Sequence, residues 1–179
     1  MLYKRPPLKR PKYRPRLSIR KPMREFTHLL KGTPREQHER VRTRFFSEFF
    51  RSQTFAAGRL LFNLMEQEIA KGISETSSGQ ILGRARTILK IARTKLKGKK
   101  VSSLAAEESL KVMVRELDRD FERLSRFGTS MRFRESDMLT QGVIGVNEMT
   151  PYNEFIHAFK GELGLRRTLL VILKRELAK

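Results

Sequence analysis

The chain has 179 residues, with 39 Lys plus Arg against 19 Asp plus Glu, a formal net charge of +20 and a pI of about 11.1. It contains no Cys and no Trp, which excludes a disulfide framework, a thiolate metal site and a cysteine nucleophile, and leaves the redox compartment open. The longest apolar run, Leu169 to Leu173, has five residues, too few to span a bilayer.

Residues 1–22 read MLYKRPPLKRPKYRPRLSIRKP. They hold nine cations, Lys4, Arg5, Lys9, Arg10, Lys12, Arg14, Arg16, Arg20 and Lys21, and no acid. Five of the seven prolines, Pro6, Pro7, Pro11, Pro15 and Pro22, fall in the same stretch. Proline at that density opposes a helix and favours an extended polyproline-like chain. The segment has too little apolar surface to fold alone. It reads as a basic arm rather than a targeting peptide: the prolines prevent an amphipathic presequence helix, and there is no apolar secretory core.

After the arm the pattern is helical. A short helix over 23–31 ends at Gly32. Thr33-Pro34-Arg35-Glu36 has the form of a capping box with proline at the first helical position. The helix it opens extends to Lys71, stops at Gly72 and has a candidate break over 52–58. Ser77 or Ser78 starts the next helix, to about Lys97, closed by Gly98. Ser102 or Ser103 starts another, to Phe127, closed by Gly128. Residues 128–149 read as irregular, with Gly142 to Val146 as a short strand or a buried loop. Thr150-Pro151 starts a last helix to about Leu177, with Gly161 and Gly164 as kink points.

The expected fold is therefore all-α: an extended basic, proline-rich N-terminal arm followed by an antiparallel bundle of about four helices. The expected division is 1–32 for the arm with its short helix and 33–179 for the bundle.

Catalytic signals are sparse, and the chain reads as a non-enzyme without a cofactor, metal or small-molecule substrate. His28, His38 and His157 form no HExxH or paired i,i+4 arrangement. His38, flanked by Glu36 and Glu39, reads as a solvated helix residue, and His157 as a packed or interfacial one. Asp118 and Asp120, among Arg115, Arg119 and Arg123, read as salt-bridged surface. Gly142-x-x-Gly145 reads as a tight turn rather than a nucleotide-clamping loop, and there is no GxxxxGK[ST] phosphate loop.

Binding signals are stronger. No acid lies between Glu75 and Glu107. Within that interval Arg86, Lys90, Arg93 and Lys97 follow i, i+4, i+7, i+11, one stripe within about 60° of arc at 100° per residue. Ile81, Ala85, Ile88, Leu89, Ala92 and Leu96 take the adjoining face, so one face packs and its neighbour offers four cations to a polyanion. Solvated charged faces ordinarily interleave Glu for i,i+4 pairing, and here it is missing. Phe45/Phe49 and Phe46/Phe50 form two adjacent i,i+4 rows. One row suits the core. The second, Phe46 and Phe50, is the candidate subunit interface.

A surplus of 20 positive charges opposes compaction unless a polyanion neutralises it, and nucleic acid is the usual one. With no zinc-finger cysteines and no helix-turn-helix spacing, the chain reads as built to neutralise phosphates rather than to read bases.

The arm MLYKRPPLKRPKYRPRLSIRKP, leading into this helix pattern, resembles the coat proteins of filamentous archaeal DNA viruses. The resemblance is architectural and rests on no diagnostic motif. It implies a capsid subunit whose N-terminal segment wraps double-stranded DNA, held in the A form, with the bundles packed outside, in a virion. Self-association or a paralogous second coat subunit is implied with it. The rival reading is a ribosomal or organellar ribosomal protein that binds rRNA through its arm. The double phenylalanine surface favours self-assembly.

Overall fold

A computed structural model describes residues 19–53, 56–72, 78–98, 102–133, 139–140, 142 and 144–179. Among them are six α-helices and no strand: α1 (Arg20–Lys31), α2 (His38–Gln53), α3 (Arg59–Ala70), α4 (Ser78–Lys97), α5 (Ser103–Phe133) and α6 (Met149–Leu177). Short 3₁₀ turns over Arg35–Gln37, Ala56–Gly58 and Val146–Glu148 precede α2, α3 and α6. The described residues thus hold six α-helices where about four were expected, because α2 ends at Gln53 and α3 starts anew at Arg59 after the turn over Ala56–Gly58, and α1 packs against the others.

The extra start of α1 follows from proline chemistry. Pro22 is the third residue of the helix, where a missing N–H costs nothing because the first-turn donors have no intrahelical partner. The chain already hydrogen-bonds helically at Ile19, whose carbonyl accepts from the Met23 N–H at 3.0 Å. Ile19, Met23 and Phe26 are buried, and the Phe26 ring lies 5.4–5.6 Å from Phe45, Phe46 and Phe155. Within the described residues α1 therefore packs as part of the bundle from Ile19 onward.

Several helix ends form as the sequence indicates. Gly72 closes α3 with φ +79°, its N–H bonded to the Ile69 carbonyl. Gly98 closes α4 through the Thr94 carbonyl. The Ser102 hydroxyl accepts from the Ala105 N–H at the start of α5. Two ends differ. The Thr33 hydroxyl donates backwards to the Leu29 carbonyl at 2.7 Å, so it finishes α1 instead of capping α2. Gly128 lies inside α5, which runs on to Phe133. There the edge of the Phe159 ring occupies the place of a side chain, 2.7 Å from where a Cβ would stand. The glycine admits a close helix crossing rather than ending a helix. Gly161 and Gly164 leave α6 unbroken. In the segment before α6 Ile144 is buried, while Gly142, Gly145 and Val146 are exposed.

Helix directions follow from cross-links. Asp118, Ser125 and Met131 of α5 meet Lys174, Arg167 and Tyr152 of α6 in that order, so the two run antiparallel. Phe45, Phe49 and Phe50 of α2 meet Phe155, Phe159 and Arg166 of α6, so those two run parallel. The core is one cluster joining all six helices. Its densest part is aromatic: Phe26, Phe46, Phe50, Phe155 and Phe159 are each at most 2% exposed. A buried Phe contributes about 1.5–3 kcal/mol, with about 0.5–1.5 kcal/mol more per well-oriented ring pair.

Candidate nucleic-acid interface and a charged core

The α4 stripe divides into two kinds of cation. Arg93 grips Glu107 of α5 with both fork nitrogens, at 2.5 and 3.1 Å. That hydrogen bond raises the arginine pKa and holds the Glu107 carboxyl below the usual carboxylate range. Arg86 Nε donates to Glu176 of α6 at 2.9 Å. Glu176 is held low first by Lys179 and then by Arg86. The carboxylates that α4 itself lacks are thus supplied by the flanking helices. Lys90 and Lys97 stay exposed, with no ion pair among the described residues. The expectation of four free cations is corrected to two, with Lys95 exposed beside them.

Of the arm cations, Lys4, Arg5, Lys9, Arg10, Lys12, Arg14 and Arg16 lie outside the described residues. Arg20 and Lys21 sit in the first turn of α1, which carries no acid. A helix N-terminus has positive dipole character and favours an anion, so two cations there are placed against the local field. Lys21 reaches Glu25 only at 3.9 Å, between exposed side chains.

The phenylalanine expectation is overturned. Phe46 and Phe50 are 0% exposed. α2 is flanked by α1 on one side and α6 on the other, so both rows are buried to different depths. Phe45 and Phe49 keep the partial exposure. The apolar end of α6 is likewise internal, with Leu169, Leu170 and Leu173 buried and only Val171 substantially open, at 44%.

A second polar constellation, which the periodicity argument did not single out, lies where α2, α3 and α6 meet. Arg166 has no exposed surface. It donates to both Glu66 oxygens at 2.7 Å, and to the Glu162 carboxylate at 2.9 Å and carbonyl at 2.8 Å. Its guanidinium lies 4.7 Å from the Phe50 ring centroid. Glu162 also accepts from Arg42 at 3.2 Å and Thr43 at 3.4 Å, and Glu66 accepts from the Ser47 hydroxyl. An open groove of about 1280 Å³ lies over this network, with Arg40, Arg44 and Arg51 along one wall.

Each carboxylate of the network is matched by an arginine. Among the described residues no group of three or more His, Cys, Asp or Glu is placed to hold a metal ion. His157 is exposed at the groove edge rather than packed, while His38 is half-buried and donates to the Thr33 carbonyl at 2.9 Å. Asp118 is the surface ion pair expected, 2.7 Å from Lys174, and Asp120 pairs with Arg123 at 4.0 Å but is buried rather than at the surface.

Among the described residues no helix is long and apolar enough to cross a membrane. Comparison with protein-family models, with curated proteins and with solved structures finds no match.

Proposed function

We propose that the protein is a structural nucleic-acid-packaging subunit, a virion coat protein that wraps and neutralises double-stranded DNA, in the A form, along a helical filament. The charge distribution carries this reading. The chain has a surplus of 20 cations, and residues 1–18 contribute seven of them with no acid. The exposed Lys90 and Lys97, and the cations at the start of α1, extend the same polarity onto the bundle. Charge on this scale serves phosphate neutralisation rather than base readout.

Copy number follows from the same arithmetic. Twenty surplus charges neutralise at most about 20 phosphates, or about ten base pairs. Covering a genome therefore takes many copies side by side.

The test is a salt titration of binding to duplex fragments. Each phosphate contact adds about −0.9 to the slope of log K against log salt. The full chain should give a slope steeper than about −6, with little preference between a natural and a scrambled duplex. Removing residues 1–18 should flatten the slope while leaving the helix signal of the bundle intact. A slope shallower than about −4, or strong sequence preference, overturns the reading. Non-cooperative binding of one copy to a folded RNA replaces it with the ribosomal type.

A further inference from the structure

With Phe46 and Phe50 buried, the contact between neighbouring copies has to come from another surface. One candidate is an apolar groove of about 450 Å³ between α1 and α2. Pro22, Leu29, Phe45 and Phe49 make its apolar lining, with Glu25 and Glu48 beside them. Leu29 is 45% exposed, a large aliphatic side chain left open next to two half-buried rings.

We propose that this groove receives the proline-rich arm of a second copy of the chain, so that each subunit holds its neighbour by residues 1–18. The inference deepens the packaging reading by naming what joins consecutive subunits.

Two observations support the occupant. The first is chemical fit. Aromatic-lined grooves flanked by acids are suited to proline-rich, basic segments in the polyproline conformation. The arm carries Pro6, Pro7, Pro11 and Pro15, with seven cations and no acid. Among the described residues Glu25 and Glu48 are paired with Lys21 at 3.9 Å and Arg44 at 3.5 Å, both exposed and local. Such pairs are weak and readily exchanged.

The second is spacing. Polyproline repeats every three residues, with a rise of about 3.1 Å per residue. In that register Leu2, Arg5, Leu8, Pro11, Arg14 and Leu17 would share one edge, and the other five cations would fall on the remaining two. Leu8 and Pro11 stand about 9 Å apart. The stretch of α1 from Pro22 to Leu29 is about 10 Å long at 1.5 Å per residue. The apolar centre of that edge, Leu8 and Pro11, thus matches the groove in length and leaves Lys4, Lys9, Arg10, Lys12 and Arg16 for phosphates.

The absence of native cysteine makes the test direct. Full-length chains carrying Lys9→Cys are mixed with chains carrying Ser52→Cys, at the groove, or Thr129→Cys, exposed on α5. A short bismaleimide is added without nucleic acid. The expected result is a Lys9–Ser52 heterodimer at least fivefold more abundant than the Lys9–Thr129 product, and fivefold reduced when Leu29→Lys is added to the Ser52→Cys chain. Because Leu29 lies at the groove edge, that variant should melt with wild-type cooperativity. Equal yields with both partners overturn the proposal, as does indifference to Leu29→Lys in a folded chain. If the double variant Lys9→Cys/Ser52→Cys closes within one chain while mixed single variants do not link, the arm belongs to its own groove and the second-copy assignment is lost. Duplex binding is measured on the same chains. Salt-steep binding without cross-linking refutes the groove alone, and cross-linking without duplex binding refutes packaging alone.

Discussion

Arg166 of α6 donates to both carboxylate oxygens of Glu66 of α3, each at 2.7 Å, from a position with no exposed surface. Burying three charged side chains carries a large desolvation cost, which their mutual hydrogen bonds offset only when all are present. Arg166→Leu should therefore destabilise the fold by about 3–5 kcal/mol, because Glu66 and Glu162 stay buried beside an apolar group. Adding Glu66→Leu and Glu162→Leu should recover most of that loss. Urea unfolding of the single and triple variants checks it. A triple variant no more stable than Arg166→Leu would show that the network contributes net stability.

The network was legible in the sequence in a way that helical faces alone do not reveal. Phe155, Phe159, Glu162, Arg166, Leu169 and Leu173 recur at alternating steps of four and three. Glu162 and Arg166 therefore hold core positions on an otherwise apolar stripe, where charged side chains must find partners. Boundaries read from glycine and serine chemistry were also legible where they depend on local hydrogen bonds, as at Gly72, Gly98 and Ser102. Periodicity does not show how many faces of a helix are covered. The rows Phe45/Phe49 and Phe46/Phe50 were correctly grouped, but α2 lies between α1 and α6, and the inner row is sealed by Phe155 and Phe159. Nor did the α4 stripe reveal that its missing acids reside on α5 and α6.

Two glycine substitutions should act with opposite sign. At Gly128 an added Cβ would stand 2.7 Å from Phe159, so Gly128→Ala forces a buried ring to move. Overpacking of this kind costs about 1–3 kcal/mol, more than the gain of about 1 kcal/mol in helix propensity. At Gly161 nothing lies within 4 Å of the added atom, and Gly161→Ala should stabilise by up to about 1 kcal/mol. Thermal melts of the two variants should bracket the wild type, and a stabilised Gly128→Ala would refute the tight crossing of α5 and α6.

Acid should loosen the seams around α4. Glu107 is depressed by Arg93. For Glu68, burial alone would raise the pKa, but hydrogen bonds from Lys71 and Arg84 more than reverse it. A carboxylate with a depressed folded pKa adds stability that is fully present above its unfolded value, near 4.5, and is lost as pH falls through the folded value. The melting midpoint should thus change little from these groups between pH 7 and pH 5 and fall below about pH 4.5. Glu107→Gln should remove part of that fall, and an undiminished acid slope in the variant would exclude the Arg93 pairing as a source.

The divided stripe on α4 gives two separable phenotypes. Lys90→Gln with Lys97→Gln removes two cations that have no ion pair among the described residues. Gln has nearly the helix propensity of Lys, so stability should stay within about 0.5 kcal/mol of wild type. Duplex affinity should fall, with the salt slope reduced by about 1.8 for two lost phosphate contacts. Arg86→Gln with Arg93→Gln removes the same formal charge but also cuts the ties to Glu176 and Glu107. That pair should lower the melting midpoint while changing the salt slope less, because these guanidiniums are already engaged. If both pairs flatten the slope equally and neither changes stability, phosphates displace Glu107 and Glu176 on binding, and all four cations act as one surface.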